Sequence, residues 1–168
     1  MTNSKPILIV TVGLPRSGKS TWANQQGYPV VEPDAIRLAL YDAVFIPAME
    51  DFVWFIAKML VKYHFLRGEH AVILDATNTT AKRRAVWMSD NWETHFQYFD
   101  TPADICKSRL TEENQCLVAV IDRMAENFET PHVEEHNSID PVIINRLAME
   151  EIKRTNDKVD ALTSGETK

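Results

Sequence analysis

Ile7-Leu8-Ile9-Val10-Thr11-Val12-Gly13-Leu14-Pro15-Arg16-Ser17-Gly18-Lys19-Ser20-Thr21 joins an unbroken apolar run to a full match of the pattern G-x-x-x-x-G-K-[ST]. The run is short, β-branched and bounded by glycine, as a strand buried on both faces should be. Behind it, Gly13 and Gly18 permit a tight loop whose backbone N–H groups face inward. The helix opening at Lys19 would bring its positive dipole end to the same point. Such a loop cradles phosphate. In this P-loop, or Walker A, reading, residues Gly13 to Thr21 hold a nucleoside triphosphate: Lys19 reaches its β- and γ-phosphates and the Ser20 hydroxyl serves Mg2+. The competing reading is a fortuitous glycine turn, which a preceding strand makes the poorer one.

Around that loop the chain has 168 residues, enough for one α/β domain with a proper core and short for two. We expect a domain over residues 1–154 and a polar tail over 155–168. Hydrophobic content of 45% and charged content of 25% are ordinary for a globular protein. No apolar run approaches a membrane span, and Met-Thr-Asn-Ser-Lys-Pro at the start lacks a signal-peptide core, which points to a cytoplasmic protein without membrane contact. Cys106 and Cys116 have neither metal-site nor disulfide-scaffold spacing and read as free thiols. A net charge of -6 disfavours a broad duplex-binding footprint, since each phosphate contact needs a cation, but leaves a nucleic-acid end or a small molecule open. Oligomeric state is not written in the sequence.

Strand and helix signals alternate along the chain, the pattern of a parallel sheet wrapped by crossover helices. Strands are expected at residues 7–12, 28–31, 71–74, 95–99 and 142–144. Helices are expected from the P-loop to about Gln26, from an Asp34 cap through Tyr41, from Pro47 to Arg67, from after Thr80 to about Asn91, from Pro102 to Leu110 and from Leu117 to Phe128. In the long helix Phe52, Phe55, Ile56, Met59, Leu60 and Tyr63 keep helical spacing and read as the core face rather than a stacking platform. The expected architecture is a three-layer P-loop NTPase of the nucleoside-kinase kind with a parallel sheet of about five strands.

Ligands of such sheets sit beyond the carboxyl ends of the strands. Those positions hold the P-loop, then Glu32-Pro33-Asp34-Ala35-Ile36-Arg37, then Asp75-Ala76-Thr77-Asn78, then Asp100. Asp34 and Arg37 share one helix face, with the carboxylate near the N-terminus where the dipole favours its charge. Phosphoryl transfer uses such a pair: a carboxylate takes the proton of an attacking hydroxyl and an arginine fork clamps the acceptor or the moving phosphoryl group. An N-cap with a surface salt bridge is the plainer alternative. Asp75 ends an apolar strand where a Walker-B-type acid would hold Mg2+ with Ser20, or orient Arg37. Thr77-Asn78 either binds the acceptor or turns the chain. Lys82-Arg83-Arg84 is the one compact basic cluster, meeting a polyanion or merely facing solvent. His132 and His136 are four apart around Glu134-Glu135, but Pro131 and the lack of apolar periodicity argue for a loop, not a metal site. His64, His70 and His95 have no evident partners.

Taken together, the P-loop Gly13 to Ala23, the Asp34/Arg37 pair and Leu74-Asp75-Ala76-Thr77-Asn78 followed by Arg83-Arg84 and Trp87 resemble the P-loop polynucleotide 5′-hydroxyl kinases, among zeta-toxin-like and AAA relatives, over roughly residues 5–130. That resemblance implies an ATP-dependent kinase in which Asp34 is the general base, Arg37 contacts the acceptor end with Thr77, Asn78 and Arg83, and Asp75 supports the arginine and the metal. It also implies lid arginines about four residues apart. Arg109 matches the first, whereas Glu113 stands at the second; Arg123 is the candidate substitute. Two further readings stay open: a kinase of a nucleoside, sugar or nucleotide sugar, and an ATP-binding module without phosphoryl transfer.

Overall fold

The computed structural model describes residues 5–42 and 45–132. The chain divides into a unit of residues 1–138, which contains everything below, and one of residues 139–168, outside the described residues. The expected strand at 142–144, the tail at 155–168 and His136 also lie outside the described residues.

The apolar run folds as β1 (Ile7–Val12), buried at every position. Burial on both faces is what its unbroken hydrophobicity requires, because alternate side chains point to opposite sides of a sheet. Leu8, Val10 and Val12 pack with one helix layer, and Ile7 and Ile9 are covered from the other side. β2 (Val30–Val31), β3 (Ala71–Leu74) and β4 (Glu93–Tyr98) complete a four-stranded sheet of order β2-β3-β1-β4. All pairings are parallel: Val10 is opposite Leu74 and Phe96, and Val31 is opposite Leu74 on the other side. Four strands stand among the described residues, close to the expected number.

The crossovers are α1 (Lys19–Gln25), α2 (Pro33–Tyr41), α3 (Glu50–Leu66) and the short α4 (Ala81–Ala85); α5 (Ala103–Ser108) and α6 (Leu117–Glu126) follow β4. No helix among the described residues is long and apolar enough to cross a membrane.

Three local expectations are corrected. Glu32, not Asp34, occupies the N-cap of α2, and Asp34 lies in its first turn. Pro33 sets that start, since its ring fits the first helical position and removes an N–H that would go unpaired. Second, α4 stops at Ala85 instead of running to Asn91, because the Trp87 carbonyl is taken by the Trp92 indole N–H and the Thr94 hydroxyl, each at 2.8 Å, which turns the chain into β4. Third, α3 buries Val53, Ala57 and Val61, whereas Phe52, Phe55, Met59 and Tyr63 are exposed. A helix lying close on a sheet selects small side chains at the contact, and Ile56 and Leu60 only flank it.

Candidate active site

The carboxyl edge of the sheet gathers the groups read from the sequence. At the end of β1 the loop is pinned from below: the Gly13 N–H donates to the Thr77 carbonyl at 2.9 Å. A Cβ on Gly13 would meet the Ser17 Oγ at 2.9 Å and the Phe99 carbonyl at 3.0 Å, so this position has room for glycine alone. Gly18, with φ +105, turns the loop into α1 through left-handed backbone that side chains resist. Carbonyls of the loop are occupied by the protein's own side chains. Leu14 accepts from the Lys19 ammonium at 2.6 Å, Ser17 from the Thr101 hydroxyl at 3.0 Å, and Arg16 from the Arg109 guanidinium at 2.9 Å. The Gly13 and Ser17 N–H groups are themselves spent on the Thr77 and Leu14 carbonyls, at 2.9 and 3.2 Å, so the N–H groups offered to an anion are those of the first turn of α1, which a helix start leaves without intrahelical partners. Leu14 itself packs on Cys106 and Ile121, so α5 and α6 back the loop.

Lys19 is buried within this cradle. Burial pushes its ammonium down to about 8, against the opposing pull of Asp75, Cys106 and Asp34. The charge is thus poorly compensated by the protein itself, and a polyphosphate is the natural counterion. Ser20 is exposed beside it at the start of α1. Asp75, at the end of β3, is nearly buried and accepts from the Thr11 hydroxyl at 3.1 Å.

At the end of β2, burial together with the fields of Asp75 and Asp34 raises the Glu32 carboxyl. Its place directly after a strand and beside Asp34 is the sequence signal that marks Glu32. One turn on, Asp34 accepts from Arg37 Nη1 at 2.5 Å. Arg37 Nε and Nη2 are taken by the two carboxylate oxygens of Glu50, at 2.7 and 2.6 Å. Hydrogen bonds to Glu50 raise Arg37 above its ordinary value and hold Glu50 below the usual carboxylate range. Rings of Phe45 and Trp54 stand 6.0 Å from the guanidinium centre. Arg83 lies 5.8 Å from the Trp54 ring, so it shares that indole with Arg37.

Other expected groups are placed differently. The Asn78 amide donates to the Thr11 carbonyl at 2.9 Å and its residue is buried with φ +44, a structural brace under the loop. Thr77 is half-buried and gives its carbonyl to Gly13. Arg84 is no part of a basic surface: it is buried and donates to the carbonyls of Asn78 and Glu129 at 3.2 and 2.8 Å. Glu113 and Arg123 are both exposed, and Asp100 accepts from the Tyr98 hydroxyl at 3.1 Å. His95 is buried with Nε2 2.8 Å from Glu93, and His64 has its ring against Tyr63. Among the described residues no group of three or more His, Cys, Asp and Glu is spaced to hold a metal ion.

A parallel α/β sheet with this loop at the end of its first strand is a P-loop kinase fold. The gluconokinase of Sinorhizobium meliloti 1021 superposes with a TM-score of 0.52 at 17% identity, over 95% of this chain and 99% of that one. The APS kinase CysC of Mycobacterium tuberculosis, in complex with AMPPNP and APS, gives 0.52 at 19% identity, over 71% and 76%. The model of the AAA domain family matches residues 8–131, and the chain belongs to that family. A chain in the structure of a Pnkp1/Rnl/Hen1 complex gives a TM-score of 0.58 at 27% identity, covering 66% of this chain. The present chain spans only 41% of that chain's length. A search of the curated proteins finds no match.

Proposed function

We propose that this protein transfers the γ-phosphate of ATP to the 5′-hydroxyl of a nucleic acid. The observation that carries the reading is the Asp34/Arg37 pair, one turn into the helix after β2, close enough to the P-loop for Asp34 to act on Lys19. A module that only binds ATP has no use for it. In the proposed reaction the acceptor oxygen attacks the γ-phosphorus, its proton passes to the Asp34 carboxylate, and the bond to the β–γ bridging oxygen breaks to release ADP. Arg37 orients the acceptor, while Lys19 and Arg109 neutralise charge on the transferring group. Arg83, Thr77 and Asn78 belong to the acceptor side, Thr77 and Asn78 through the loop they brace. Mg2+ fits Ser20 and Asp75, an oxygen-only donor set too small for a closed cage and suited to an ion shared with phosphates. Bound there, it supplies charge neutralisation to the polyphosphate oxygens.

The likeness at 27% identity to a chain of the Pnkp1/Rnl/Hen1 complex, of which a related structure is described as an RNA repair complex, supports a polynucleotide acceptor. The second reading, a small-molecule acceptor, draws on the net charge of -6 and on the gluconokinase and APS kinase likenesses. Transfer of labelled γ-phosphate to a panel of 5′-hydroxyl DNA and RNA oligonucleotides, nucleosides, sugars and adenosine 5′-phosphosulfate separates them. Label on an oligonucleotide end supports the proposal, label on a small molecule alone moves the substrate, and bound ATP with no transfer overturns both.

A further inference from the structure

We propose that Glu50 is the positioning residue of the acceptor side: it grips Arg37 by the Nε–Nη2 edge and presents the remaining donors of Nη1 and Nη2 beside Asp34. This rests on the reading of Asp34 and Arg37 as acceptor-side groups. A guanidinium has five N–H donors in a fixed plane. Glu50 takes two and Asp34 one, leaving one on each Nη. Phe45 and Trp54 flank the group, and its side chain is 9% exposed against 15% for Glu50. So little freedom remains that the direction of the two spare donors is set before any acceptor arrives.

Asp75 was the sequence's candidate for this task, but among the described residues the carboxylates that bond the Arg37 guanidinium are Glu50 and Asp34. Glu50 instead stands in the first turn of α3, where the helix dipole favours its charge. The Trp54 side chain and the field of Arg83 add to that preference. Glu50 therefore ties the arginine to the helix that also carries its aromatic flank. Without it, Asp34 is the carboxylate partner left to the buried guanidinium among the described residues. The guanidinium would close on that group with both Nη atoms, occupying the base and removing the donors meant for the acceptor.

Glu50→Gln keeps the shape but points an amide N–H at the fork; Glu50→Asp keeps the charge on a shorter arm. In the full chain, Glu50→Gln is expected to lower kcat/KM for the acceptor about tenfold or more with ATP affinity unchanged, alongside a lower Tm from the broken buried ion pair, the assays being run well below that Tm. Glu50→Asp recovers part of the loss. Combined with Arg37→Ala, Glu50→Gln should add nothing, because it acts through that arginine. A fall in ATP affinity parallel to the loss of kcat/KM, or a double variant well below Arg37→Ala, overturns the proposal. Nitrogen-15 NMR of the free protein supplies a readout independent of any acceptor. The Arg37 Nε–H signal, assigned through Arg37→Lys, should be sharp and slow to exchange in the parent and lost in Glu50→Gln. Its persistence in Glu50→Gln overturns the positioning role even if no acceptor is found, whereas its loss in a protein that phosphorylates nothing overturns only the kinase reading.

Discussion

Asp34 and Arg37 meet at 2.5 Å across one turn of α2, yet the Asp34 side chain is 91% exposed and the Arg37 side chain 9%. On the proposed reading, an acceptor arriving from solvent would meet the carboxylate first, against a cation that has already given up its freedom. Exposed ion pairs contribute little to stability, so the value of this one to the fold is small on the Asp34 side. Asp34→Asn should accordingly leave Tm within about 1 °C, because surface changes of this kind stay within ~0.5 kcal/mol. Thermal unfolding of the variant checks this; a large drop would make Asp34 a structural group.

Lys19 gives a pH-dependent prediction. Its folded value, about 8, lies below the ordinary 10.5 through burial. Between those values the unfolded chain binds more protons than the folded one, so stability from this group rises with pH from about 8 to 10.5, and the cost of burying the charge is fully present below 8. Lys19→Met should therefore raise Tm at pH 7, by an amount that shrinks across that window, while abolishing transfer. A Tm lowered by the substitution at pH 7 would contradict the assignment.

ATP binding should report the same group. With Lys19 losing its charge above about 8, the affinity of the free protein for fully ionised ATP should decline above that pH. Isothermal titration across pH 7.5–10 checks the limb, and an affinity constant throughout would contradict a lowered Lys19 ammonium that contacts phosphate.

Gly13→Ala tests the cradle. The added methyl would stand 2.9 Å from the Ser17 Oγ and 3.0 Å from the Phe99 carbonyl, and the second of these is backbone that cannot swing aside. Overpacking of this sort costs about 1–3 kcal/mol. We expect lower stability and a larger loss of ATP affinity, measured by denaturant titration and nucleotide binding.

Arg84→Ala should be the most destabilising change in the basic cluster. It leaves the Asn78 and Glu129 carbonyls without their charged donor and empties a buried site, at a cost of about 2–3 kcal/mol. Lys82→Ala, on an exposed side chain of the same helix, should cost under ~0.5 kcal/mol. Denaturant unfolding of both variants decides it.

The P-loop and its strand were legible because local chemistry fixes them: an apolar run, glycines at defined offsets, and a helix start. The face of α3 was not. Ring size and spacing pointed to Phe52, Phe55, Met59 and Tyr63, whereas closeness to the sheet selected Val53, Ala57 and Val61, and that closeness is a tertiary property. Arg84 read as surface charge because its partners lie 6 and 45 residues away. Glu50 escaped notice for the same reason: it joins Arg37 across 13 residues and a change of helix, which no helical spacing reveals. Asp34 with Arg37, three apart on one helix, was visible from the start.

The most direct test of the account is single-turnover transfer from labelled ATP by Asp34→Asn on the best acceptor of the panel, with ATP affinity measured alongside. Removing the base should slow transfer by roughly 100-fold or more while ATP binds as before. Transfer at the parent rate would contradict the assignment of Asp34 as the group that takes the acceptor's proton.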